Sequence, residues 1–302
     1  MRPTQLEILT GTTVTNSCSP EGGERCEAPV RAQSFGMTHR GRVRPTNEDH
    51  FLVATLLREL TIDQSSLDID KPCKEAVGRI FVVADGVGGG KAGERASSLA
   101  VTCMEEFLCS SIRTRQSLAG MEDGDGVLAD IEAAVRRADA RILEESARDP
   151  ALRGMATTLT IACGIRSDLF VIHVGDSRCY LFRGRKLEQL TRDQTLVEML
   201  HRQGSLKEAE KRKHPLRNIL LNSVGGSDPC NEVQLHRLDL EPGDRVLLAS
   251  DGLTDMVNDD AICAILAAEP HPRDACERLV AAANENGGKD NITVIVSRYE
   301  AA

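Results

Sequence analysis

A mixed α/β (α+β) fold, built as a four-layer αββα sandwich of two antiparallel sheets packed face to face and flanked by helices, is what this sequence predicts. Three observations carry the prediction. Short apolar, β-branched runs recur along the chain, and several are joined by links of a few residues, too short for parallel crossovers. Two pairs of segments with helical periodicity interrupt the strand series, one in the first half and one near the end. The 302 residues combine 41% hydrophobic with 27% charged side chains, the balance of a folded globular protein, and aromatics at 3% leave Leu, Val, Ile and Ala to fill the interior.

Taken in order, residues 1 to about 30 carry Thr, Ser, Gly and Glu with little periodicity and are expected to form a flexible leader before a single domain at about 31–300. Buried strands are expected at 51–54 and 80–84, with a polar excursion from about 57 to 78 between them. Two helices should follow, from 94 to about 110 and from 127 to about 147. The second has apolar residues at 127, 131, 135, 138 and 142, in steps of three and four. Further strands are expected at 157–165, 169–174, 179–183, 233–238, 245–250 and 292–297, and helices at 260–268 and 273–283. Residues 193–218 are charged and helical in flavour, broken at Pro215.

Charge narrows the function. With 37 basic against 46 acidic residues the net charge is −9, the wrong sign for gripping nucleic acid backbones. No apolar run approaches the roughly 18 residues that cross a bilayer, and the N-terminus lacks the halves of a signal peptide. A cytoplasmic protein with no nucleic acid or membrane partner is therefore expected. The ten cysteines include no Cys-x-x-Cys pair and are expected as reduced thiols, mostly core residues, so the sequon at Asn291 reads as a chance match.

Acids recur at strand ends. Asp85 closes the run 80–84, Asp176 follows 171–175, Asp251 follows 246–250, and Asp290 sits just before the last strand. A strand end is a rigid mount, so carboxylates there can converge at one edge of a sandwich. Two unit charges about 4 Å apart repel by roughly 4 kcal/mol at an effective dielectric of 20, so convergence calls for cations or bound protons. An all-oxygen donor set suits Mg²⁺ or Mn²⁺ better than Zn²⁺. Taken singly, each Asp also reads as an ordinary turn opener, as Asp-Gly at 85–86 and 251–252 commonly is. Arg44 precedes a strand beside Glu48 and Asp49. Its guanidinium can hold a phosphate by a bidentate fork or simply pair with those acids at the surface.

The ordered set of motifs is more specific than any one of them. Gly41-Arg42-Val43-Arg44-Pro45-Thr46-Asn47-Glu48-Asp49, Ala84-Asp85-Gly86-Val87-Gly88-Gly89, Ala156-Thr157-Thr158, Val174-Gly175-Asp176-Ser177-Arg178, Leu190-Thr191-Arg192-Asp193, Ser250-Asp251-Gly252-Leu253-Thr254-Asp255 and Lys289-Asp290-Asn291-Ile292-Thr293 occur in that order. From about Phe35 to Arg298 the chain resembles the PPM, or PP2C-type, protein phosphatases, bacterial single-domain members especially. The resemblance implies a metal-dependent serine/threonine protein phosphatase whose nucleophile is water, with no phosphoenzyme. It implies that Asp85 bridges two cations, Mn²⁺ or Mg²⁺, that the Gly86 carbonyl binds one, and that Asp251 and Asp290 hold the other. Asp176 with Asp251 would suit a third metal, Glu48 and Asp49 would orient water, and Arg44 would seat the phosphate. The implied partners are phosphorylated proteins, substrates of a Ser/Thr kinase, met by a monomer.

Two departures from the family pattern stand out: Val87 occupies a position where some relatives carry a proposed acid, His, and Gly90 stands where bacterial relatives often have His. Residues 194–222 resemble the family's flap, equally readable as a solvated helical hairpin, and His214 within it reads as structural. The glycines at 88, 90 and 93 also match a dinucleotide fingerprint, but the second parallel strand such a site needs is not predicted. An inactive phosphatase fold used as a binding module would lack a ligand, and none is missing. A small-molecule phosphoesterase would use the same site.

Overall fold

The structure, a computed structural model, describes residues 14–16, 30–60, 73–114 and 124–301. One sheet has the order β1-β12-β8-β7-β4-β3, from β1 (Val14–Asn16), β3 (His50–Leu60), β4 (Cys73–Ala84), β7 (Leu159–Ile165), β8 (Asp168–Val174) and β12 (Gln234–Asp239). The other has the order β10-β9-β13-β14-β2, from β2 (Val30–His39), β9 (Arg178–Arg183), β10 (Lys186–Gln189), β13 (Arg245–Ala249) and β14 (Ile292–Ala301). A third, small sheet joins β5 (Gly86–Val87), β6 (Ala156–Thr157) and β11 (Val224–Gly225). Pairing is antiparallel except between β1 and β12.

The four layers follow from side-chain alternation. Along β4, Phe81 and Val83 point between the sheets, where they pack with Val171, Leu181, Val246 and Leu248. Ile80, Val82 and Ala84 point the other way, into a core shared with α1 (Lys91–Thr114) and α2 (Gly124–Arg148). On the second sheet Leu247 and Val294 meet α6 (Asp259–Ala268) and α7 (Pro272–Glu285) through Ile262 and Leu279. A strand buried on both faces needs an unbroken apolar run, which is why 80–84 and 246–249 read as strands from sequence. Each fully buried Val, Leu or Ile contributes about 1.5–3 kcal/mol relative to exposure. No helix among the described residues is long and apolar enough to cross a membrane.

Several boundaries differ from expectation. The polar excursion at 57–78 is shorter, because β3 and β4 continue as a hairpin through Leu57↔Ala76 and Arg58↔Glu75, past an irregularity at Leu56/Leu57. Backbone pairing needs no apolar side chains, so the charged extension carried no strand pattern. Most of the leader expected at 1–30 lies outside the described residues. Within it, Val14–Asn16 pair with β12 and Val30 opens β2, each at a sheet edge. The helical stretch at 193–218 resolves into two short helices, α3 (Leu196–Arg202) and α4 (Glu208–Lys211). α3 is opened by Thr195, whose side chain accepts from the Glu198 amide.

Candidate active site

Antiparallel register brings the acids to one edge of the sandwich. His50, the first residue of β3, pairs with Ala84, the last of β4, so Glu48 and Asp49 enter where Asp85 leaves. On the other sheet Ala249 pairs with Val294, so Asp251 leaves β13 where Asp290 enters β14. Asp49 ties the two edges together. Its Oδ2 accepts from Ser250 Oγ at 2.8 Å and from Thr293 Oγ1 at 2.7 Å. Its Oδ1 is buried with no hydrogen-bond partner, although Asp49 is only 3% exposed. Asp176 sits in the turn from β8 to β9, and α5 (Asp251–Thr254) starts at Asp251 itself.

The carboxylates perturb one another. Burial pushes Asp49 up to about 6, against the hydroxyl donors Thr293 and Ser250, which pull it down. Asp176 is pushed up to about 7 by burial and then by the Asp193 charge, with Arg178 opposing. Asp85 is held well above the usual carboxylate range by burial and by the charges of Asp49, Asp251, Asp176 and Asp290. Asp251 is raised for the same first reason, then by Asp176 and Asp290. These residues lie deep among protein atoms, yet Asp85, Asp176 and Asp251 keep part of their surface at the cleft.

The loop before β3 is fixed from beneath. Asn291, 5% exposed, accepts from the Glu48 amide at 2.8 Å and donates to the carbonyls of Arg40 and Thr46, both at 2.9 Å. Glu48 Oε1 in turn accepts from the Gly90 amide at 2.7 Å, and Ser97 Oγ donates to the Glu48 carbonyl. Gly90 is at φ +61°, so a residue without Cβ brings its N–H to Glu48 there without strain. Arg44 projects from this loop to Asp290, Nη2 to Oδ2 at 2.5 Å, with 48% of its side chain exposed. Across the cleft, the Asp85 amide donates to Thr158 Oγ1 at 3.0 Å and Thr158 bonds Ser177 at 2.8 Å. Gly252 packs so closely on the Asn291 carbonyl that a Cβ there would collide with backbone.

Of the residues singled out from sequence, Glu48, Asp49, Asp85, Asp176, Asp251 and Asp290 therefore share one edge, with Arg44 beside them and Gly86 in β5 immediately after Asp85. Sequence reasoning assigned no role to Ser250, Thr293, Thr158 or Asn291, although each sits inside or beside a quoted motif. Asn291, sequestered by its three bonds, is no glycosylation acceptor. Val87 is 37% exposed and offers no proton at the rim. His214 serves its own turn, its Nδ1 accepting from the Leu216 amide at 3.2 Å.

The donor set fits hard divalent cations. All its atoms are oxygens, Asp49 Oδ1 is a buried acceptor lacking a donor, and the clustered carboxylates need compensating positive charge. Among the described residues no three Asp, Glu, His or Cys side chains close around one point. An ion would draw them in against mutual repulsion and against the Arg44–Asp290 pair. A cavity of about 120 Å³ adjoins the acids and is lined by Asp176 and Asp251 together with Lys211, Arg212 and Arg217 of the 194–222 segment.

The comparisons agree with this architecture. The family model described as protein phosphatase 2C matches residues 68–292, and the chain belongs to that family. It is 36% identical over 219 residues to the serine/threonine protein phosphatase PstP of Mycobacterium tuberculosis, an alignment covering 72% of this chain but only 40% of that protein. It is 35% identical over 225 residues to the protein phosphatase PhpP of Streptococcus pneumoniae, covering 73% of this chain and 86% of that one. Among solved structures, the catalytic domain of PstP in complex with two manganese ions superposes with a TM-score of 0.69 at 29% identity, over 90% of this chain and 99% of that one.

Proposed function

We propose that this protein hydrolyses phosphoserine and phosphothreonine esters of other proteins with the help of two divalent cations, Mn²⁺ or Mg²⁺. Asp85, the Gly86 carbonyl, Asp251 and Asp290 would hold the pair, and Asp176 with Asp251 a third. The observation that carries this reading is the convergence of five buried or half-buried aspartates at one sandwich edge, with Asp49 keeping an unpartnered oxygen there. The family and the manganese-bound relative support it. When bound, such ions lower the pKa of water and offset the charge that develops on the phosphoryl oxygens.

The chain's own residues do the rest. Arg44, half-exposed and anchored through the Asn291-bound loop, offers a planar fork to two phosphate oxygens. Glu48, held through its Oε1 by the Gly90 amide, and Asp49, held through its Oδ2 by Ser250 and Thr293 with Oδ1 left to accept, orient the attacking water. With Val87 where an acid could stand, the leaving oxygen takes its proton from solvent. Attack by water releases phosphate directly, without a phosphoenzyme. Residues 194–222 act as a flap over the cavity beside the acids. The substrates are proteins phosphorylated by a Ser/Thr kinase, and the enzyme works as a cytoplasmic monomer.

The test is release of phosphate from a phosphothreonyl peptide with Mn²⁺ and with excess chelator. Turnover should need the ion. Equal rates in chelator would contradict the reading.

A further inference from the structure

The exposed apolar side chains are not scattered. Among the described residues seven large ones are exposed, and apart from Leu57 they belong to segments bordering the site. Val43 at 66% lies between Arg42 and Arg44, and Val87 at 37% follows Asp85-Gly86. Met199, Leu216, Ile219 and Leu221 lie on the 194–222 segment. Isolated surface apolar residues need no explanation, but six of them on the rim segments, those that carry Arg44, Asp85 and the cavity lining, mark a place where another surface sits.

The same rim is basic on a chain whose net charge is −9. Residues 40–44 carry three Arg and no acid, and residues 207–217 carry five Lys or Arg against two Glu. Among the described residues Arg40, Arg42 and Lys213 have no carboxylate partner. The two segments flank a common wall. On one side, Arg212 Nη2 donates to the Thr254 and Val257 carbonyls at 3.0 and 3.4 Å, and Arg217 pairs with Asp255 at 3.4 Å. On the other, Asn286 donates to the Met256 carbonyl at 3.0 Å, and the Gly288 carbonyl accepts from the Arg42 amide at 2.7 Å. The end of α5 and the turn after it, Thr254 to Val257, thus link the flap on one side to the segment that holds the arginine loop on the other.

We infer that this rim, on the reading given above, docks a protein segment in which the phosphoresidue is flanked by acidic and aliphatic residues. The acidic flanks meet Arg40, Arg42 and Lys213, and the aliphatic ones cover Val43 and the exposed flap side chains. Charge complementarity of this kind selects partners and steers encounter more than it adds affinity. A phosphorylated metabolite, reaching only Arg44 and the acids, would leave the rim bare.

Three substrates separate the possibilities: a phosphothreonyl peptide flanked by Asp, Glu and Leu, its counterpart with Asn and Gln for the acids, and an aryl phosphate. The acidic peptide should have the highest kcat/KM. Reversing two rim charges, Arg42→Glu with Lys213→Glu, should lower it about tenfold, because each exposed attraction becomes a repulsion. Aryl phosphate turnover should be unchanged, which also shows the variant folded. The peptide preference should shrink between 0.1 and 1 M salt, as the screening length falls from about 10 to about 3 Å. Equal use of both peptides with intact aryl phosphate turnover would overturn the docking inference and leave the phosphatase reading standing. Loss of all three activities in the unmutated protein would sink both. A dimer in solution that disappears in Leu216→Ser with Ile219→Ser would assign the apolar rim to a second copy and overturn the inference as well.

Discussion

Replacing Asn291 by Ala removes three hydrogen bonds that join the residue just before β14 to the loop carrying Arg44. The side chain is 5% exposed, so the Glu48 amide and the carbonyls of Arg40 and Thr46 lose partners in a place that water reaches poorly. At about 1 kcal/mol net for each bond, the cost is about 3 kcal/mol, and more where a group stays unsatisfied. For a chain of this size that corresponds to a fall in Tm on the order of 6–12 °C. The loop should also loosen around Arg44, so KM for a phosphorylated substrate should rise together with the loss of stability. Asn291→Asp keeps an acceptor for the Glu48 amide but cannot donate to the two carbonyls, so it should be no better than Ala. Thermal and urea unfolding, with the urea slope unchanged, measure the first effect, and steady-state kinetics the second. A Tm within 2 °C of the parent would refute the claim that this side chain holds the loop.

Arg44→Ala should raise KM by tenfold or more with little change in kcat, since on the proposed reading the guanidinium binds phosphate in ground and transition state alike, and a pure kcat loss would assign it a different role. Asp251→Asn removes a charge proposed to hold a cation, so turnover should fall at least a hundredfold and more Mn²⁺ should be needed for what remains. Asp49 contributes one share of the pH dependence of stability in chelator, beside the raised Asp85, Asp176 and Asp251. Its folded pKa is raised from 3.8 to about 6, so the native state keeps a proton that the unfolded chain releases, and its contribution declines as pH rises from about 4 through 6. The decline is on the order of 3 kcal/mol. Comparing Tm against pH for the parent and Asp49→Asn isolates it, and saturating Mn²⁺ should abolish it by favouring the carboxylate. Parallel curves would refute the assignment.

Much of the fold and site was legible because the informative residues are local. Ile80–Ala84 and Val246–Ala249 announce strands by unbroken apolar runs, and the acid that follows each is fixed in sequence next to its mount. What could not be read depends on pairing across the chain. β2 carries Arg, Gln, Ser and Gly among its ten residues, and its identity as a strand rests on β14, whose Val294 pairs with Met37. β10 is a four-residue edge strand with an exposed, intermediate, exposed, intermediate pattern, too short to stand out. Ser250 and Thr293 look like ordinary polar residues until the fold brings both hydroxyls onto one oxygen of Asp49. Gly90, without explanation in sequence, proves to present its amide to Glu48.

The central claim is that the aspartates at this edge are a cation site. Calorimetric titration of Mn²⁺ into the chelator-treated protein tests it without reliance on turnover. At least two ions should bind per chain, and Asp85→Asn, which removes the carboxylate proposed to serve both, should weaken both together. A parent protein that takes up no Mn²⁺, or an Asp85→Asn variant that binds like the parent, would contradict the account.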